Sequence, residues 1–240
     1  MDKYSQQAEV MYDSEANSML SLQREKTYVN AYQKVIKRIE IDDCDVVLDV
    51  GYGTGKLALA VGSLPKKYVG IDLAQKTIDI AKKKGLRNHQ FFKADMMNNG
   101  FDDCSFSKVV ALTSIDQVFE RERALKECKR VLRPDGLMYI EVRNKDYIVK
   151  KAFRRFLPFF NKIGITKPMP IADFEDLTNN EWVSLFTLCG FEIVNRFVSA
   201  RPYYGESLPE KLRHAAIEFC KLFMPMRYQY MRSFALKKGK

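Results

Sequence analysis

Ten residues constrain this chain more than any others: Val46-Val47-Leu48-Asp49-Val50 followed by Gly51-Tyr52-Gly53-Thr54-Gly55. A short apolar, β-branched run reads as a buried strand, and glycines at alternate positions read as a tight turn that opens a helix. Glycine lets the backbone turn sharply and approach a ligand with no Cβ in the way, while the helix start presents unpaired N–H groups. Such a turn suits a nucleotide-like ligand. Spacing narrows the choice, because a dinucleotide fingerprint needs its third glycine where Lys56 stands, and Gly55 comes one residue early. Taken alone the turn is a weak signal, compatible with an ordinary strand-to-helix connection.

The surrounding pattern strengthens it. From Val46 to Val142 short apolar runs alternate with segments of helical period, as in stacked βα units of a parallel sheet. Strands are expected at Val46–Val50, Tyr68–Asp72, Gln90–Lys93, Lys108–Leu112 and Leu137–Val142, with helices at Thr77–Lys84 and Glu120–Leu132. Arg133-Pro134-Asp135-Gly136 reads as a turn ending the second helix. Thr178 with Glu181 three residues on reads as a capped helix start, and Gly190 as its left-handed terminator. A strand Phe191–Phe197, a helix Leu208–Phe223 and a last strand Tyr228–Leu236 follow. The fold class is therefore α/β, an open, mostly parallel sheet flanked by helices.

At 240 residues with 46% hydrophobic side chains, the chain buries one sizeable core without disulfides or metal, so a single domain over 1–240 is expected. The five cysteines form neither a CxxC pair nor a metal-ligand spacing. Nothing resembles a signal peptide or a bilayer-spanning run, which points to the cytoplasm. A net charge of +10 favours polyanions, anionic lipid surfaces or phosphorylated substrates without choosing among them. No basic tail or Arg/aromatic RNA-binding signature appears, which argues against nucleic acid.

Two acids extend the glycine signal. Asp72 closes the second strand about twenty residues after the glycines, where a carboxylate can accept both ribose hydroxyls, although an N-cap role fits as well. Asp95-Met96 follows the third strand. Together these segments resemble the class I, Rossmann-like S-adenosylmethionine-dependent methyltransferases, and most of all their small-molecule branch. The likeness runs over roughly residues 40 to 200 and continues through Phe106–Leu112 and Ala124–Gly136. It implies S-adenosylmethionine as cofactor, held by Asp49, Gly51, Gly53, Gly55, Asp72, Leu73, Asp95, Met96 and Thr113. Asp95 would bind the adenine amino group with Met96 against the ring. It also implies an N-terminal helical lid over 1–40, a cofactor-binding core over 41–145, an insertion over 146–177 and a C-terminal helix-strand part over 178–240.

Two positions depart from the family pattern. Tyr52 is bulkier than the usual small residue, and either reshapes the methionine pocket or points into the fold. Gln117 stands where many relatives carry a histidine after strand four, which excludes a histidine base there.

Methyl transfer is an in-line displacement on an activated donor, so positioning is the enzyme's main task; an alcohol or carbon acid also needs a base. Asp116, after strand four, is the catalytic candidate, with a capping role as its alternative. Arg143, beyond strand five, is placed to bind an anionic acceptor or simply to face solvent. Tyr12 and Tyr4 lie in the lid segment, where cation–π attraction to the sulfonium competes with plain packing. His89 reads as a surface turn residue, and His214 as structural or solvated rather than catalytic.

The insertion Tyr147–Leu157 sets Lys150, Lys151, Arg154 and Arg155 against a stripe containing Phe153 and Phe156. That face suits an apolar acceptor, a transient contact with an anionic membrane surface, or a lid with solvated charges. The expected function is methylation of a small molecule, hydrophobic or phosphorylated. The alternatives are an RNA or protein methyltransferase, against which this chain has Thr113-Ser114-Ile115-Asp116 where many amino-base methylases carry an NPPY-like tetrapeptide, and a non-catalytic cofactor-binding subunit. The sequence leaves oligomeric state open.

Overall fold

The computed structural model describes residues 32–145, 176–198 and 231–239, together with Val10. Helix α1 occupies residues 32–39. Then come β1 (Val46–Val50), α2 (Lys56–Val61), β2 (Lys67–Asp72), α3 (Gln75–Lys82), β3 (His89–Lys93) and β4 (Phe106–Leu112). A 3₁₀ turn (Ile115–Gln117) leads to α4 (Arg121–Val131), β5 (Leu132–Arg143), α5 (Asn179–Leu188), β6 (Phe191–Val198) and β7 (Met231–Lys238).

Seven strands form one sheet in the order β3-β2-β1-β4-β5-β7-β6. Strands β1 to β5 pair in parallel, and β7 runs antiparallel between β5 and β6. This is the open, mostly parallel Rossmann-like sheet expected from the βα pattern. The chain steps outward from β1 to β2 to β3, then returns to β4 on the other side of β1. In such sheets the crevice opens where the direction reverses, at the carboxyl ends of the strands.

The central strands bury both faces, which is why they read as continuous apolar runs. Alternation assigns each side chain to one of two core layers. Leu48, Val50, Val69, Ile71, Val109 and Ile140 pack toward Leu125 of α4 and Trp182 and Phe186 of α5. Val47, Tyr68, Val110 and Tyr139 pack toward Ile36 of α1, Leu57 of α2 and Ile78 of α3. Residues 32–39, the end of the segment read as a lid, thus form a core helix.

The α5 start is a complete capping box: Thr178 Oγ1 accepts the Glu181 N–H at 3.2 Å, and Glu181 Oε2 accepts the Thr178 N–H at 2.6 Å. Gly190 ends that helix at φ 74°.

Several boundaries differ from the sequence pattern. Arg133–Gly136 does not separate α4 from the strand but loops out within β5, where pairing passes from Phe106 and Leu132 to Lys108 and Leu137. Gly136 permits this, since a Cβ there would lie 2.6 Å from Leu132 Cδ1 and 2.9 Å from the Ser107 carbonyl oxygen. His89 is the first residue of β3 rather than a surface turn; its half-buried ring stacks on Tyr68 with centroids 4.7 Å apart. Helix α3 starts and ends two residues earlier than expected, and β7 runs to Lys238. The expected helix Leu208–Phe223, the insertion helix with Phe153, and Tyr4, Tyr12 and His214 lie outside the described residues. Among the described residues, no helix is long and apolar enough to cross a membrane.

Candidate active site

The turn after β1 is built by three glycines at φ 74°, 55° and 74° for Gly51, Gly53 and Gly55, a backbone region that side chains rarely adopt. Two of them are packed. A Cβ on Gly51 would lie 2.4 Å from Ser114 Cβ, and one on Gly55 would lie 3.2 Å from Ala81 Cβ. Gly53 faces open space, with no described heavy atom within 4 Å of a Cβ built there. Its N–H donates to Asp72 Oδ2 at 2.9 Å, tying the turn after β1 to the end of β2.

Asp72 also accepts the Ala74 N–H through Oδ1 at 3.0 Å. The N-cap position of α3 is Ala74, and no side chain caps that helix, so the N-cap role considered for Asp72 is not the one it plays. Burial pushes its carboxyl above the usual carboxylate range, and the N–H groups of Ala74 and Gly53 work against that rise. The Leu73 N–H and the Thr77 hydroxyl act in the same direction. Leu73 beside it is half-buried.

Asp95 is half-buried, and its Oδ1 accepts the Met97 N–H at 2.9 Å; Met96 packs against the core layer beneath. Thr113, just beyond β4, stands at φ 57°, an unusual conformation for a β-branched residue. Hydrogen bonds hold it there: its N–H donates to Glu141 O at 2.8 Å, its Oγ1 to Leu112 O at 2.6 Å, and Gln117 Nε2 donates to Thr113 O at 2.6 Å. The glutamine at the histidine position therefore fixes backbone.

Sheet order sets these groups in a row. Asp95 follows β3, Asp72 ends β2, the glycine turn follows β1 and Thr113 follows β4, on four adjacent strands. Adjacent strands lie about 4.8 Å apart, so the row spans about 14 Å.

Asp49 and Tyr52 turn away from that row. Asp49 is 2% exposed and accepts the hydroxyl of Tyr68, whose phenol is pushed well up by burial and by that carboxylate. The Tyr52 ring lies over Gly70, where a Cβ would meet Tyr52 Cδ1 at 2.6 Å, and tilts against Phe91 with centroids 4.8 Å apart. Of the two readings of Tyr52, the ring pointing into the fold is the one observed.

On the far side of Thr113, two residues chosen separately from the sequence meet. Arg143 Nε donates to Asp116 Oδ2 at 2.6 Å and lies 3.4 Å from Asp176 Oδ1. Asp116 is 1% exposed, and burial pushes its carboxyl up; Arg143 opposes the rise and Asp176 adds to it. Ser114 and Asp176 were missed in the sequence. Ser114 gave a signal as a small polar residue at a strand end, whereas Asp176 lies 33 positions from Arg143 with no local pattern linking them.

A family profile described as a methyltransferase domain matches residues 48–140, the stretch holding the whole row. Residues 48–140 thus carry a methyltransferase domain. Outside this methyltransferase domain the similarity thins. A demethylmenaquinone methyltransferase from Chlorobaculum tepidum is 35% identical over 126 residues, covering 52% of this chain and 52% of that protein. An uncharacterised protein from Methanocaldococcus jannaschii is 32% identical over 124 residues, covering 50% and 47%. The chain thus spans about half the length of the curated relatives it matches.

Solved structures extend the fold likeness further. The methyltransferase in complex with the Trm112 methyltransferase activator of Haloferax volcanii superposes with TM-score 0.67 at 17% identity, covering 95% of this chain and 98% of that one. An S-adenosylmethionine-dependent methyltransferase from Aquifex aeolicus gives 0.62 at 16%, covering 93% and 97%.

Proposed function

We propose that this chain is an S-adenosylmethionine-dependent methyltransferase acting on a small-molecule acceptor. The observation that carries the reading is the row of strand-end groups across β3, β2, β1 and β4, with its open side at Gly53. S-adenosylmethionine, when bound, supplies a methyl group already activated by its sulfonium. The chain's own residues supply position. In this reading Asp95 takes the adenine amino group, Asp72 the ribose hydroxyls and the glycine turn the methionine end, with Thr113 closing the row.

Asp116 is the group we assign to take a proton from the acceptor. It lies two residues beyond Ser114, which touches the glycine turn, and its raised proton affinity suits a base. A small-molecule acceptor is supported by the demethylmenaquinone methyltransferases among the relatives. The free thiols of Cys44, Cys104, Cys128 and Cys189 favour a reducing compartment, and we place the protein in the cytoplasm.

Calorimetry tests the cofactor: S-adenosylmethionine and S-adenosylhomocysteine should bind at micromolar strength and NADH should not. The opposite order overturns the reading. Tritiated-methyl transfer into fractionated cell extract tests the acceptor class, with label expected in small molecules rather than RNA or protein.

A further inference from the structure

Among the described strands, β3 stands at one end of the sheet and pairs in parallel with β2. Two bonds bracket that pairing: Tyr68 N–H donates to Asn88 O at 2.9 Å, and Ala94 N–H donates to Asp72 O at 3.1 Å. A parallel ladder uses alternate residues, so Gln90 and Phe92 complete the inner bonds, and the N–H and C=O of His89 and Phe91 point to the outer edge. That edge borders a cavity.

The cavity, of about 340 Å³, lies between the end of α3 and β3, and its walls include Lys82, Gly85, Leu86, His89, Phe91 and Phe92. This is the small end of the range of ligand sites, about 300–1,000 Å³. Its surface is mostly apolar. Phe91 belongs to the core layer beneath, Leu86 packs against that layer, and Phe92 is 42% exposed. Gly85 stands at φ 61° with no described heavy atom within 4 Å of a Cβ built there, so its main chain meets open space. Burial lowers the pKa of His89 below 6.5, which makes it a neutral ring at pH 7.

Topology gathers cations at the same corner. Helix α3 packs back along β2 and β3 and ends at their amino ends, which brings Lys82 and Lys83 toward Arg87, Lys66 and Lys67, all of them exposed. The acids of this region are Asp79 on α3, which accepts Gln75 Nε2 at 2.9 Å, and Asp42 and Asp43, which precede β1 one strand further in. Lysines at a helix end also offset its carbonyl dipole. Here the last turn is closed by Lys84 N–H on Ala81 O at 3.1 Å and Gly85 N–H on Lys82 O at 3.2 Å. An apolar hollow beside a basic rim favours a ligand that is itself apolar at one end and anionic at the other.

We propose that this cavity is a second ligand site, apart from the strand-end row, for a small apolar carboxylate. Leu86, Phe91 and Phe92 take the hydrocarbon body, while Lys82 and the outward Phe91 N–H take the carboxylate. The cavity lies along β3 whereas Asp95 follows its end, so the site stands or falls apart from the methyltransferase reading.

Naphthoate is the probe and naphthamide its neutral match, each titrated into the isotope-labelled full chain and followed at the Gly85 and Phe91 amide resonances. Naphthoate should shift both saturably, near the millimolar strength normal for so small a ligand. It should bind about threefold more tightly than the amide, the scale of one exposed ion pair, and salt should shrink that preference. Lys82→Glu should abolish the preference, and Leu86→Asp should weaken both probes about tenfold. Saturation with S-adenosylhomocysteine should leave naphthoate affinity unchanged. Circular dichroism checks folding; should Leu86→Asp not fold, the wild-type preference and Lys82→Glu at its exposed helix end decide.

No saturable shift, equal binding of the two probes, affinities untouched in the folded variants, or displacement of naphthoate by S-adenosylhomocysteine overturns the proposal. Retention on phosphatidylglycerol vesicles without naphthoate binding also overturns it, because the corner would then be a surface patch and not a cavity site. If S-adenosylhomocysteine does not bind while the naphthoate preference and its loss in Lys82→Glu hold, the methyltransferase reading falls and this site stands.

Discussion

Ser114 occupies the space that a side chain at Gly51 would need, with its Cβ 2.4 Å from that point and its hydroxyl donating to Val50 O at 2.6 Å. The turn after β1 and the turn after β4 are thereby fixed to each other at the strand reversal. Glycine at 51 is required by packing, whereas glycine at 53 borders open space.

That contrast separates two substitutions. Gly51→Ala combines a positive φ with overpacking and should cost about 2–4 kcal/mol of stability. Gly53→Ala meets no neighbour and should cost about 1–2 kcal/mol from φ alone, yet weaken S-adenosylhomocysteine binding more than Gly51→Ala does in its folded fraction. Urea unfolding and calorimetry check both halves. Equal destabilisation by the two would show that the packing difference carries no weight.

Asp72 joins the turn after β1 to the end of β2, because its two oxygens hold Gly53 N–H and Ala74 N–H. Asp72→Ala should weaken S-adenosylmethionine binding by about 1–3 kcal/mol and also loosen the glycine turn, through lost charge-assisted hydrogen bonds. Hydrogen exchange at Gly53 should accelerate in the variant without ligand. Unchanged calorimetric affinity with faster exchange would leave Asp72 as a strut alone.

The row of strand-end groups was legible in the sequence because each follows its own strand, so position along the chain predicts position along the edge. Gly70 carried a signal that went unread: a glycine inside a strand marks the close approach of another group, here the Tyr52 ring. The cluster beyond β4 and β5 was legible only residue by residue, Asp116 and Arg143 singly and Asp176 not at all. Asp116, Arg143 and Asp176 meet across strand ends, and no spacing rule tells an arginine facing solvent from one held by two acids. The antiparallel entry of β7 between β5 and β6 was equally hidden, because its alternation suits either neighbour. The turn at Arg133–Gly136 was recognised as a turn but misplaced, since a bulge inside a strand and a loop before one share their residues.

His89 gives a pH dependence of defined sign. Burial lowers its pKa below 6.5, while its Nδ1 lies 2.6 Å from Arg87 O and its ring stacks on Tyr68. The folded state then binds fewer protons than the unfolded state between the lowered value and 6.5, so its stability falls as pH drops through that window. Measured against His89→Phe, which keeps the stacking, wild type should lose relative stability from pH 7.5 to pH 5, and the curves should run parallel above about pH 7.5. Parallel curves throughout would mean that the imidazole titrates as it does in the unfolded chain.

Thr113 holds a left-handed backbone that its branched side chain disfavours, kept there by bonds from Gln117 and to Glu141 and Leu112. Strain retained at a ligand-binding edge implies that the conformation serves the site. Thr113→Gly removes the steric penalty while adding freedom to the unfolded chain, so stability should stay within about 1 kcal/mol of wild type or rise. Affinity for S-adenosylhomocysteine should nevertheless fall, by about tenfold, as the turn at the end of the row loses its single conformation. Gln117→Leu, which removes the side chain donating to Thr113 O, should reproduce the affinity loss without the gain in stability. If Thr113→Gly cost more than about 2 kcal/mol, the backbone would not be strained in the sense argued. If affinity were untouched in both variants, the conformation would belong to the fold and not to the site.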